Sequence, residues 1–148
     1  PIGPGQLTLS ELYTITDSYQ FDLEPGVAPP PGEFAGTTSA SIGGAIPEYK
    51  SAFSATYSVG DWTLFGRWSY VPEMRELGFG PIIRTPAASY VDASARWNVT
   101  DAFTLTMNVD NLMDEEPPQL ALGSQGNTDP QVYRVLGRSF AISGRYRF

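Results

Sequence analysis

Residues 139–148 read Ser139-Phe140-Ala141-Ile142-Ser143-Gly144-Arg145-Tyr146-Arg147-Phe148. Phe140, Ile142, Gly144, Tyr146 and Phe148 fall on one side of an extended chain, and Ala141, Ser143, Arg145 and Arg147 on the other. A period of two with unlike faces is the mark of a β-strand between two environments.

The same pattern recurs upstream. Phe103, Leu105, Met107 and Val109 alternate with Thr104, Thr106, Asn108 and Asp110. Val91, Ala93, Ala95, Trp97 and Val99 alternate with Asp92, Ser94, Arg96 and Asn98. Only Thr100-Asp101 lies between these runs, which predicts a tight hairpin. A second hairpin turns at Gly60-Asp61. Phe53, Ala55, Tyr57 and Val59 lead into it, and Trp62, Leu64, Gly66, Trp68 and Tyr70 lead out. Phe65 is an apolar exception on the polar side of that strand. In the first segment Leu7, Leu9, Tyr13 and Ile15 share a side, but Glu11 interrupts them. A bulge or a shifted register is expected there.

These patterns predict about six strands, near 6–18, 48–59, 62–72, 89–99, 102–112 and 138–148. Each is about ten residues long, close to the ~9–11 of a tilted membrane-spanning strand. Long connections at 19–47, 73–88 and 113–137 alternate with short ones at 60–61 and 100–101. Long outer loops and short inner turns are the habit of outer-membrane barrels.

Composition narrows the function classes. The 148 residues suffice for one domain with a sizeable core. Charged residues make up 17%, below the roughly 25% of soluble domains. The 15 Gly and 13 Pro suit turns and disfavour long helices. Net charge is −7 with no basic run, which argues against a nucleic-acid partner. The chain has no Cys and no His, so disulfide, Cys/His zinc, thiol and His-based catalytic chemistry fall away. No catalytic, cofactor-binding or metal-binding residues are expected, and the chain reads as a non-enzyme. No apolar stretch approaches the ~20 residues of a spanning helix, but barrels span by alternation instead. The chain opens Pro1-Ile2-Gly3-Pro4, without an initiator Met or signal peptide, and a cut edge is expected there.

A soluble β-sandwich or lipocalin-like barrel also alternates, with its apolar face inward. Three features favour the membrane. The polar sides are mostly small Ser, Thr and Asn with a few Arg and Asp, as in a wet lumen. Aromatics sit at strand ends (Trp62, Tyr70, Tyr90, Trp97, Phe103 and Phe148), where interfacial girdles belong. Connections this long are uncommon in compact soluble domains.

From Ile46 onward the chain resembles the C-terminal region of TonB-dependent receptors. Ile46-Pro47-Glu48-Tyr49-Lys50 resembles the family's "IP-x-(W/H/Y)-(K/R)" entry into a strand. Asp110-Asn111-Leu112-Met113-Asp114-Glu115-Glu116-Pro117-Pro118 resembles "NLFDKEPP". Asn127-Thr128-Asp129-Pro130, then Tyr133 and Val135-Leu136-Gly137-Arg138, resemble "NTDP-x-x-Y-D-V-L-G-R". Ser139–Phe148 resembles the closing "R-x-F-x-x-x-x-R-Y-R-F". The likeness covers about two-thirds of the chain, with the elements in the family's order. Met113 stands where Phe is usual, Arg134 where Asp is usual, and Gly144 one residue later than the closing pattern, which has Ser143 there.

The resemblance implies an all-β fold of antiparallel transmembrane strands, the C-terminal part of a 22-stranded barrel with a plugged lumen. Residues 1–148 would then be a fragment, or one chain of a split receptor, lacking plug and N-terminal strands. The parent would sit in the outer membrane of a Gram-negative bacterium. It would import a siderophore–iron chelate, cobalamin, another metal chelate or an oligosaccharide with energy from the TonB complex. Partners would be outer-membrane lipid, the plug, the remaining strands and the barrel-assembly machinery, with Phe140, Tyr146 and Phe148 as candidate assembly signal. Charges avoid lipid, so Arg67, Asp92, Arg96, Asp110, Arg145 and Arg147 are candidate lumen-facing residues, expected to form a ladder of pairs around the wall or against the plug, or less plainly to conduct a ligand.

The motifs have bland readings too. Asp110-Asn111-Leu112 closes a strand through local side-chain hydrogen bonds. Asp114-Glu115-Glu116 is a solvated loop, or less plainly a cation site. Residues 25–36, rich in Pro and Gly, form an extracellular loop. Two other classes compete: a small self-standing outer-membrane barrel with a structural or adhesive role, which needs at least eight strands, and a soluble β-barrel binding a small apolar ligand.

Overall fold

The computed structural model describes residues 3–20, 33–39, 43–77, 83–121 and 126–148. Most of the Pro/Gly-rich stretch at 25–36 lies outside them. Among the described residues ten strands run β1 (Gln6–Ile15), β2 (Thr37–Ser39), β3 (Gly44–Ile46), β4 (Tyr49–Val59), β5 (Trp62–Val71), β6 (Met74–Glu76), β7 (Ile83–Thr85), β8 (Ala88–Asn98), β9 (Phe103–Asp110) and β10 (Ser139–Tyr146).

The six long strands form one antiparallel meander in the order β1-β4-β5-β8-β9-β10. These are the strands expected from alternation, with ends displaced by up to three residues. The sheet is open: among the described residues β1 and β10 each pair on one side only. Its turns alternate as expected. Gly60, at φ +54°, lets the chain reverse directly from β4 into β5. The other hairpin sits one residue later than expected. Thr100 and Phe103 exchange backbone hydrogen bonds around Asp101-Ala102, and the Thr100 hydroxyl accepts the Phe103 amide at 3.0 Å.

Two of the long connections hold structure that was not anticipated. β2 pairs with β3, β6 pairs with β7, and the parallel pairing of β2 with β6 joins both hairpins into a four-stranded sheet. Three-residue strands are too short for alternation to register, so the sequence pattern carries no trace of them.

Register separates the two faces of the main sheet. Trp62↔Trp97↔Leu105, Trp68↔Val91 and Val109↔Phe140 lie on one face. Arg67↔Asp92 and Arg96↔Thr106↔Ser143 lie on the other. The apolar face is largely bare, with Leu9, Phe53, Leu64, Trp68, Met107 and Ile142 all exposed. Aromatic pairs stack at both ends of it. Trp62 and Trp97 lie parallel at 5.1 Å near the short turns, and Tyr49 stacks on both Tyr13 and Tyr70 near the long connections. Gly144 belongs to this face opposite Leu105. A side chain there would press on the Phe103 ring, which covers the glycine from the next strand.

Two expectations need correction. β1 and β4 pair without a break from Gln6↔Ser58 to Ile15↔Tyr49, so Glu11 marks no bulge. It stands on the apolar face opposite Phe53, and Leu12 stands exposed on the polar face. Tyr90 is not part of an aromatic girdle. It lies on the polar face, only 2% exposed, beneath the connection from β9 to β10.

The apolar core is small and lies at the long-connection end. Val71, Ala88 and Tyr90 of the main sheet, Ala45 and Met74 of the small sheet, and Leu120, Val132 and Tyr133 of the last connection pack together there. Nearby, Glu33 clasps the chain after β1. Its carboxylate accepts the amides of Tyr19 (2.7 Å) and Ala35 (2.9 Å), the Ser18 hydroxyl (2.8 Å) and the Gln20 amide (3.2 Å).

Those donors, the Tyr19 and Ala35 amides first, pull the Glu33 carboxyl down to about 2. A depressed folded value means the clasp is complete above the ordinary glutamate range near 4.5 and is lost as pH falls through about 2. The Tyr19 and Ala35 amide resonances should therefore titrate with a midpoint near 2 in folded chain. Glu33→Gln should abolish that titration; a midpoint near 4.5 would show that the clasp does not form.

Candidate functional site

Among the described residues, the polar face of the main sheet carries the densest set of charged contacts, centred on Asp92 in mid-β8. Arg67, its cross-strand partner in β5, donates Nε (2.9 Å) and Nη2 (2.7 Å) to Oδ2. Arg134, from the connection between β9 and β10, donates Nη1 to Oδ1 (2.5 Å) and Nη2 to Oδ2 (2.8 Å). The Asn111 amide donates to Oδ1 at 3.0 Å. The carboxylate thus accepts five hydrogen bonds, and its side chain is 6% exposed. Bidentate guanidinium pairing is the strong form of this contact.

Each partner has a local reason to be where it is. Asn111 ends β9 in a left-handed conformation (φ +52°), which Asn tolerates better than most residues. Its side chain bridges to Glu115 both ways, donating Nδ2 to the carbonyl (2.9 Å) and accepting the amide at Oδ1 (3.0 Å). That turn aims the Asn111 amide at Asp92. Arg134 is fixed from below by the Tyr90 ring, 5.2 Å from the guanidinium carbon, and by its own amide, which donates to the Tyr90 hydroxyl (3.3 Å). The Asp92 carboxylate beside it raises the Arg134 guanidinium further above its ordinary value.

Asp129 anchors the same connection at a second point. Its Oδ2 accepts the Ala45 amide of β3 (2.7 Å), its Oδ1 the Gln131 amide (2.9 Å), and its carbonyl the Tyr133 amide (2.8 Å). Gly44, at φ +128°, leaves the space: a side chain there would collide with the Asp129 carboxylate. Tyr133 is buried beside it, and burial raises its phenol well above the usual range. Two carboxylates 37 positions apart therefore hold the last connection, one to the wall and one to the small sheet.

The six charged residues expected on one face do share it in register, with Arg147 following Arg145 by alternation. Among the described residues they form no continuous ladder along the wall. Among the described residues Arg67 and Asp92 pair, Asp110 accepts only the Ser139 hydroxyl at 3.4 Å, and Arg96, Arg145 and Arg147 make no ion pair. Arg134, the main partner of Asp92, stands out in the sequence only as a departure from the family pattern. Nothing local in the sequence ties it to a residue 42 positions away. In the acidic run, Asp114 takes a left-handed turn and receives the Arg138 amide at 2.8 Å. Glu115 joins the Asn111 turn, and Glu116 is exposed. Phe140 and Tyr146 lie exposed on the apolar face of β10. Phe148, just beyond it, packs edge-on against Tyr146 at 5.1 Å.

Asp92→Asn removes the counter-charge of two guanidiniums. Breaking a fully buried pair costs about 3–5 kcal/mol; the Arg67 side chain is 44% exposed, which places this loss at about 2–3 kcal/mol. Amide exchange should accelerate at Asn111 and at 132–134 while the centres of β5 and β9 stay protected. Uniform acceleration across the sheet, or none, would show that Asp92 does not hold the connection down.

The family profile described as "TonB dependent receptor-like, beta-barrel" matches residues 5–112, which run from the start of β1 to just past β9. No curated protein and no solved structure matches the chain. The profile spans most of the chain, over an antiparallel sheet with one apolar and one polar face. The chain accordingly belongs to the β-barrel family of TonB-dependent receptors, which are receptors and transporters of the outer membrane.

Proposed function

We propose that residues 1–148 form the C-terminal wall segment of an outer-membrane importer whose plug and preceding strands lie elsewhere. The carrying observation is the two-faced main sheet. Its apolar face is bare and bounded by stacked aromatics at both ends. A soluble protein rarely exposes so large a contiguous apolar surface, whereas lipid requires one. The polar face with Arg67, Asp92, Arg96, Asp110, Arg145 and Arg147 is then the lumen wall. The connections 16–48, 72–87 and 111–138 are its extracellular loops, and the Asp92 cluster holds the last of them inward. The free edges of β1 and β10 are where neighbouring strands would pair.

Under this reading the parent binds a scarce nutrient outside and releases it inward with energy delivered by TonB in a Gram-negative cell. Siderophore–iron, cobalamin and oligosaccharides are the substrate classes. Phe140, Tyr146 and Phe148, exposed on or just beyond the last strand, would engage the barrel-assembly machinery. Under this reading the segment is a transporter wall rather than an enzyme.

Tryptophan depth tests the wall. Trp62, Trp68 and Trp97 are the only tryptophans, and all three share the apolar face. In vesicles of lipids brominated on the acyl chain, their emission should be strongly quenched, while acrylamide in the water should quench weakly. The reverse pattern would sink the membrane reading and favour a soluble barrel. For the parent, uptake of labelled iron chelate, cobalamin or oligosaccharide should cease on deletion of TonB.

A further inference from the structure

Leu12 stands exposed on the polar face, and register shows what it borders. Leu12, Ala52, Ser69 and Tyr90 form one row across β1, β4, β5 and β8. Two bulky side chains thus flank two small ones. With roughly 4.8 Å between strands, the backbones of Leu12 and Tyr90 are about 14 Å apart, and Ala52 and Ser69 leave a low floor between them. Val132 and Arg134 of the last connection add to the wall on the Tyr90 side. The result is a groove of about 260 Å³ near the long-connection end of the sheet.

The two ends of the groove differ in charge. Toward the sheet centre the next row is Ser10, Ser54, Arg67 and Asp92, where Asp92 neutralises Arg67 and Arg134. Toward the long connections the next row begins with Thr14 and Lys50. Lys50 is the chain's only lysine; it is half-buried and makes no ion pair among the described residues. No described carboxylate lines the groove. In a chain of net charge −7 it therefore holds one uncompensated positive charge.

An occupant has to match both the apolar walls and that charge. A flat ring system laid on Ala52 and Ser69 meets Leu12 on one side and the Tyr90 ring on the other. A carboxylate at its head meets the Lys50 ammonium, with the Thr14 hydroxyl as a second donor. A sugar would turn hydroxyls against Leu12, Val71 and Val132, where they find no partner, and a cation would face Lys50. A single acyl chain would touch one wall at a time.

We propose that this groove binds a flat aromatic monoanion, a ring system bearing one carboxylate, with the carboxylate on Lys50 and the ring between Leu12 and Tyr90. The binding stands on the described geometry. That the bound anion is imported cargo, which narrows the substrate classes above, rests on the importer reading.

The test uses the full chain held in amphipol, free of micelles, with strand content checked by circular dichroism. The probe is fluoronaphthoate followed by fluorine NMR, with the neutral fluoronaphthamide as control and chain-free amphipol as blank. The naphthoate should bind at least tenfold more tightly than the naphthamide. Lys50→Gln should weaken the naphthoate at least tenfold and leave the naphthamide within about threefold, so that the preference for the anion disappears. Lys50→Arg should keep the naphthoate within about threefold. Ser69→Leu, which fills the floor, should weaken both probes at least tenfold, and Arg84→Gln, remote in β7, should change neither. Equal binding of acid and amide, no binding, or indifference to Lys50→Gln would overturn the proposal. So would displacement of the naphthoate by an equal concentration of decanoate, which would mark an acyl-chain site. Tryptophan quenching in brominated lipid reports separately on the wall, so the two readings fail independently.

Discussion

The carboxylate of Asp92 is the point on which the upper half of the structure depends. It lies in the middle of the sheet, yet three of its five donors come from beyond β9: the Asn111 amide and both Nη1 and Nη2 of the Arg134 guanidinium. A carboxylate so little exposed would be costly without those donors, and the two guanidiniums would repel each other without the carboxylate. Each group thus makes the position of the others favourable. The apolar cluster of Tyr90, Tyr133, Leu120, Val71 and Met74 can then close over the polar face. The connection from β9 to β10 is consequently a lid with two anchors, Asp92 on the wall and Asp129 on the small sheet.

Much of the wall is legible in the sequence because its physics is local. Alternation over eight or more residues, with Gly60-Asp61 and the Thr100 turn between runs, specifies six strands and their faces. It failed where the pattern contradicts itself. Glu11 and Leu12 each occupy the side that their chemistry disfavours, and the unbroken pairing of β1 with β4 overrides them. A one-residue slip would exchange the two, but it would also turn Leu7, Leu9, Tyr13 and Ile15 to the polar side, a larger loss.

The site was less legible because its contacts span long stretches of chain. Alternation with Val91 puts Tyr90 on the polar face, but it does not say what covers the ring there. Only the folded connection shows that Tyr133 and Arg134 do. Arg134 occupies a position where the family pattern has Asp. Here that position carries an arginine, which pairs with Asp92 through both terminal nitrogens. Two residues of the family-like motifs act through backbone amides: Asn111 at the strand end, and Asp129, with Gly44 making room for it, in the docking of β3.

The division of charge along the polar face follows from the same constraint. Asp92 collects both arginines near it because the lid brings one of them down; the short-turn end has no lid, since its connections are two-residue turns. Nothing in the described chain can reach Arg96, Arg145 and Arg147 from above. Solvent alone would satisfy them, as it does most surface arginines.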